Sequence, residues 1–82
     1  MSVLTVRYFA GARAAAGGIR TEQIAAASID ELTQALTERH GERLAVVLKA
    51  ASYLVDGLAS HDRQAGLPQG ATIDVLPPFA GG

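Results

Sequence analysis

Cysteine is absent from this chain, which excludes disulfides, thiolate metal sites and a cysteine nucleophile. Aromatic residues are scarce: Tyr8, Phe9, Tyr53 and Phe79 are the whole set, so a core must come mainly from aliphatic side chains. Histidine is confined to His40 and His61, far apart and without ligand spacing, which leaves no metal site to expect. No sign of charge dominates. The net charge is -1 with acids and bases interspersed, so no basic stripe exists to neutralise phosphates and nucleic acid is not an expected partner. Long hydrophobic runs are missing too, since Arg13 and Lys49 interrupt the apolar stretches, and nothing reads as a membrane span. The first seven residues lack the charged-then-apolar order of a signal peptide, which makes the cytosol the expected compartment.

What is present is small. Eighty-two residues make one domain near the lower limit for folding without staples. Hydrophobic residues are 49% of the chain, but many are alanines that bury little area each. One compact core of the larger side chains leaves little volume for an enclosed active site. That balance favours a carrier or binding module over a self-sufficient enzyme.

The patterning divides the chain into short elements. Residues 3–9 alternate, with Leu4, Val6 and Tyr8 on one face and Thr5 and Arg7 on the other, the period of a half-buried strand. Residues 11–18 are rich in Ala and Gly without periodicity and predict a loop with at most one helical turn, ending at Gly17-Gly18. Residues 20–25 can form a second strand. Ser28-Ile29-Asp30-Glu31 predicts a capping box in which Ser28 accepts the Glu31 amide and the Glu31 side chain reaches back to the Ser28 amide. Ile29, Leu32 and Leu36 then form the apolar face of a helix over 29–39, closed by Arg39, His40 and Gly41. Leu44, Val47, Leu48 and Ala51 predict a second, shorter helix. Residues 53–55 form a short strand, Asp56-Gly57 its turn and Leu58-Ala59 a return strand. Residues 72–76 form the last strand, with Ile73 and Val75 on one face. Pro77-Pro78 stops it. The expected architecture is α+β: a mixed sheet with one main helix packed across it over residues 1–76, then a flexible C-terminal Gly-Gly tail over 77–82.

Side-chain chemistry offers little. Gly11, Gly17 and Gly18 lack the Lys-Ser/Thr of a phosphate loop, and no Gly-x-Gly-x-x-Gly occurs. Asp30 and Glu31 are adjacent on a helix and face different ways, so capping accounts for them better than paired acid-base work. The tail is different. Pro77-Pro78 sets its direction, Phe79 is a large apolar residue beyond the strand, and Gly81-Gly82 have no side chains to block a narrow channel. Six residues from Pro77 reach roughly 20 Å at ~3.3 Å each, enough to enter a neighbouring protein's active site.

On Phe9-Ala10-x-x-Arg13, Val55-Asp56-Gly57 and above all Leu76-Pro77-Pro78-Phe79-Ala80-Gly81-Gly82, the whole chain resembles the MoaD family, the small sulfur-carrier subunit of molybdopterin synthase. It departs from that pattern at Gly70-Ala71, where Gly-Asp is frequent, and at Asp56, where Asn is common. The related thiamine-pathway carriers share the terminal Gly-Gly. The resemblance implies a ubiquitin-like β-grasp fold and a carboxylate on Gly82 that becomes an acyl adenylate and then a thiocarboxylate. It also implies that the thiocarboxylate donates sulfur to a pyranopterin precursor in molybdenum cofactor biosynthesis. Implied partners are the large catalytic subunit (MoaE-like), a ubiquitin-activating-like adenylyltransferase (MoeB-like) that uses ATP and Mg, and a sulfur donor protein. No cofactor bound by this chain is implied. Contacts with partners fall to Gly81, Ala80, Phe79, Pro78, Pro77, Phe9 and Arg13, with Phe9 and Phe79 expected to be exposed until a partner covers them. Sulfur carriage for thiamine or an amino acid, and service as a ubiquitin-like modifier or interaction domain, are the other readings.

Overall fold

The computed structural model describes residues 2–78. The chain runs β1 (Ser2–Tyr8), α1 (Gly11–Ala15), β2 (Thr21–Ala26), α2 (Ile29–His40), α3 (Glu42–Ala50), β3 (Ser52–Val55), β4 (Leu58–Ser60) and β5 (Thr72–Leu76). The five strands form one mixed sheet in the order β2-β1-β5-β3-β4. The two central strands, β1 and β5, are parallel, with Thr5 opposite Thr72 and Tyr8 opposite Val75. All other pairs are antiparallel. Among the described residues no helix is long and apolar enough to cross a membrane.

The alternation in β1 becomes burial: Leu4, Val6 and Tyr8 lie under the helices with Ile73 and Val75 of β5 and Ile24 of β2. The parallel centre puts a residue of β1 and its β5 partner on the same face, so both strands present their branched residues to the helices together. Helix α2 docks through Ile29, Leu32 and Leu36, as its spacing predicts, and α3 adds Leu44 and Leu48. The first helix is a single short turn that buries Ala12, and the second strand lies one residue later than expected.

The capping box is half as predicted. Ser28 Oγ accepts the Glu31 amide at 3.2 Å, but the Glu31 carboxylate accepts the amide of Ala27 rather than that of Ser28. Ser28 is extended, so the amide before it is the one that turns toward the carboxylate. At the hairpin between β3 and β4, Asp56 (φ 49°) and Gly57 (φ 87°) both occupy the left-handed region, which a two-residue type I′ turn requires. Asp56 also exchanges bonds with Thr72: its amide donates to the Thr72 carbonyl at 2.8 Å, and its carboxylate accepts the Thr72 amide at 2.9 Å. The turn therefore holds the start of β5 as well as joining two strands.

A second cluster anchors the end of α2. Glu22, on β2, has only 12% of its side chain exposed. Its carboxylate accepts the Tyr8 hydroxyl at 2.5 Å and the Arg39 guanidinium at 2.7 Å, and meets His40 Nε2 at 2.5 Å. The rings of Tyr8 and His40 stand edge to face at 6.2 Å. Burial pushes the Glu22 carboxyl up, yet the hydrogen bonds from Tyr8, Arg39 and His40 and the attraction of His40 outweigh it and hold it below its ordinary range. Burial, reinforced by Glu22, holds the Tyr8 phenol well above its ordinary range. His40 is thus more than a helix-terminal cation: it is one of three donors converging on a single carboxylate.

Candidate functional site at the tail end of the sheet

Because β1 and β5 are parallel and adjacent, they finish side by side. Residues 9–11 leave the end of β1 next to Pro77 and Pro78, and Ser52 opens β3 beside them as the pairing partner of Leu76. Together Phe9, Ala10, Gly11, Ser52, Leu76, Pro77 and Pro78 line an open, mainly apolar groove of about 390 Å³. The prolines end the strand for the reason given by their chemistry, since neither has an amide to donate. The tail therefore begins at the rim of an apolar groove.

The wall of this groove is braced from the sheet face opposite the helices. Arg7 and Asp74 are cross-strand partners, and Asp74 is 5% exposed. Arg7 grips it with two parallel bonds, Nε to Oδ1 at 2.6 Å and Nη2 to Oδ2 at 2.9 Å. The hydrogen bond to Asp74, and then its charge, raise the Arg7 pKa above its already high ordinary value, so this cation is permanent. The same guanidinium sits over the Phe9 ring, 5.5 Å from its centroid. A chain of contacts thus runs from buried Asp74 through Arg7 to Phe9 at the groove.

The expected site residues divide into three groups. Phe9, Pro77 and Pro78 are brought together in the groove. Phe9 is half-buried rather than exposed, because Arg7 covers one face of the ring. Arg13 lies apart on α1, partly buried, and its Nε is shielded from solvent without a hydrogen-bond partner among the described residues. Phe79, Ala80, Gly81 and Gly82 lie outside the described residues. Sequence reasoning named Leu76 only as the start of the tail motif and did not single out Ser52, Arg7 or Asp74. For Asp74 a signal existed: one carboxylate within the apolar run Thr72-Ile73-Asp74-Val75-Leu76 needs a cationic partner if that strand is central.

Among the described residues no group of three or more His, Asp or Glu side chains is arranged to hold a metal ion. The open groove offers an apolar surface and a directed chain end, and no constellation of acids and bases.

No known family profile and no curated protein matches the chain by sequence. Solved structures do match it by shape. The small archaeal modifier protein 1 from Methanosarcina acetivorans superposes with a TM-score of 0.84 and 20% identity, over 100% of this chain and 98% of that one. The putative molybdopterin converting factor subunit 1 from Pyrococcus furiosus gives 0.77 and 22%, over 96% of this chain and 100% of that one. A protein-protein complex of subunits 1 and 2 of the molybdopterin-converting factor from Helicobacter pylori contains a chain matching at 0.71 and 24%, over 98% of this chain and 99% of that one. This likeness is one of fold: the chain is a ubiquitin-like β-grasp domain of the kind found in molybdopterin converting factor subunit 1 and in small archaeal modifiers.

Proposed function

We propose that this chain is a sulfur carrier for molybdenum cofactor biosynthesis, acting through the terminal carboxylate of Gly82. The observation that supports the reading is where the last strand ends: it is central, stops at Leu76, and is followed by Pro77 and Pro78 in the wall of the apolar groove beside Phe9. A partner that covers the groove holds the rigid domain, and the remaining residues enter the partner's active site. Phe79 supplies the apolar anchor in the tail, while Ala80, Gly81 and Gly82 pass where larger side chains would not fit. Arg13 is a candidate rim contact. The partner to which this assigns the groove is a large catalytic subunit, and likeness to one chain of a two-subunit molybdopterin-converting factor supports it.

The chemistry follows from the end group. A terminal carboxylate has a pKa of ~3.3–3.7 and is an anion at neutral pH, hence a poor electrophile. An activating enzyme that uses ATP turns it into an acyl adenylate with loss of pyrophosphate. Sulfur at the hydrosulfide level then attacks the acyl carbon, the bond to AMP breaks, and a thiocarboxylate remains. That sulfur comes from a separate donor, because this chain has no cysteine to relay it. In the large subunit the thiocarboxylate is the nucleophile toward the pyranopterin precursor. A second reading, conjugation to amines as a ubiquitin-like modifier, uses the same activation and draws support from the likeness to a small archaeal modifier.

The test is intact mass after incubation with an activating enzyme, ATP and a sulfur donor, followed by conversion of the pyranopterin precursor with the large subunit. The expected result is replacement of one oxygen by sulfur at Gly82, and precursor conversion that disappears when Gly82 is deleted or one residue is added after it. Displacing the reacting atom by one residue moves it ~3.3 Å, where even ~1 Å can cost ~100-fold in rate. Full conversion by a chain ending at Gly81 refutes the assignment.

A further inference from the structure

Phe9 lines the groove at the tail end of the sheet, and two separate devices hold it there. The first acts on its backbone. Residues 9–12 close a turn of the II′ kind: the Phe9 carbonyl accepts the Ala12 amide at 3.0 Å, and Ala10 takes φ 50°, ψ -126° at the first central position. Glycine is the usual occupant of that conformation, so an alanine there is strained. Such strain persists only where the surrounding structure over-determines it, and it gathers at binding sites and clamps.

The second acts on its side chain. Leu54, Asp74 and Arg7 form one row across the sheet, and Ser52 and Leu76 form the next row toward the tail, where Phe9 joins them in the groove. The Asp74 side chain is 7% exposed and accepts from Nε and Nη2 of Arg7, whose own side chain is 49% exposed. That fork fixes the guanidinium in place against the Phe9 ring, 5.5 Å from its centroid. Because Asp74 already neutralises Arg7, the pair has little charge with which to steer a partner. What it supplies is geometry.

From this arrangement we infer that Arg7 is a positioning residue: clamped by Asp74, it holds the Phe9 ring in the orientation that a large catalytic subunit captures. The inference rests on the proposed function and deepens its docking step. A free aromatic side chain must be immobilised when a partner covers it, and that ordering subtracts from affinity. Arg7 completes the ordering before the partner arrives. Its effect therefore falls on capture and passes through Phe9, and the chemistry of the assembled complex does not depend on it.

Arg7→Met alone would leave the buried Asp74 carboxylate unpaired, so the test uses Arg7→Met with Asp74→Val, which replaces the ion pair by apolar side chains. Arg7→Lys keeps a cation for Asp74 without a planar fork to lie over the ring, and it serves if the double variant does not fold. Calorimetry with the large catalytic subunit from the same organism should give a Kd about 2- to 10-fold weaker than wild type. In a chain that already carries Phe9→Ala, the same substitutions should change Kd less than about 2-fold, because an effect exerted through the ring vanishes with it. Precursor conversion at saturating large subunit should keep its kcat. In the free protein, NMR side-chain couplings should show Phe9 in one χ1 rotamer in the wild type and averaged in the variant. An unchanged Kd, an equal loss in the Phe9→Ala background, or a ring equally ordered without the guanidinium would each overturn the inference. No capture of the wild-type chain would overturn the proposed function instead, and the couplings would then decide whether Arg7 holds the ring.

Discussion

Replacing Glu22 by Gln keeps the shape of the side chain and removes the charge on which three donors converge. Tyr8, Arg39 and His40 lose their anionic acceptor, and of the two ends of the new amide only the oxygen accepts, so the NH2 end faces a group that had been donating to the carboxylate. Hydrogen bonds to charged groups are worth about 1.5–3 kcal/mol each when shielded. The Arg39 arm is 47% exposed and adds little. Because the glutamine oxygen still accepts one bond, the net loss is about 2–3 kcal/mol. At about 4–8 °C per kcal/mol for a domain of this size, the melting temperature should fall by about 10–20 °C. The sign of the pH dependence follows from the depressed Glu22 pKa. Its contribution is complete above the unfolded carboxylate value, ~4.3, and is lost as pH falls through the lower folded value. Melting curves at pH 5.5 and pH 3 should therefore show a wide gap between wild type and Glu22→Gln that narrows in acid. A gap below about 3 °C at pH 5.5, or one that widens in acid, refutes this account of how α2 is held.

Asp56→Ala should lower stability by about 1–2 kcal/mol, because it puts a less tolerant residue at φ 49° and removes the acceptor for the Thr72 amide; Asp56→Asn keeps both features and should cost less in urea titrations. Asp74→Ala should cost about 1–2 kcal/mol by the same titration, as Arg7 loses its bidentate partner but remains solvated. Phe9→Ala should leave the urea midpoint nearly unchanged and weaken capture of a large catalytic subunit by about 2 kcal/mol or more in calorimetry; equal affinity would show that the groove is not the contact.

Local features were the legible ones. The strand faces of β1 and β5, the helix start at Ser28 and the turn at Asp56-Gly57 each depend on residues within four or five positions of one another, where periodicity and turn chemistry act. The short α1 had no periodicity to announce it, because alanines form a turn by propensity and Ala12 and Ala16 find burial only once α3 is in place. Glu22 falls within the stretch read only as a second strand; its partners stand 14, 17 and 18 positions away, and only the fold gathers them. Phe9 was read as exposed from strand alternation alone. Its cover comes from Arg7, two residues earlier on the same face, whose direction is set by Asp74 from the far end of the chain.

The parallel pairing at the centre of the sheet has a kinetic consequence. Arg7 and Asp74 are neighbours across that pairing and 67 positions apart in sequence, so closing it joins almost the two ends of the chain. Local pieces such as the β1-β2 hairpin and the two longer helices can flicker into being early, but the sheet stays in two halves and the core lacks Ile73 and Val75 until β5 arrives between β1 and β3. Folding should then be a single late event, slower than in a helical bundle of equal size, with its barrier dominated by the entropy of that closure. During synthesis the same arrangement makes the domain wait for its last strand. A ribosome-stalled or truncated chain lacking β5 would expose the apolar faces of β1 and β3 on either side of an empty lane, an adhesive intermediate of the kind chaperones bind.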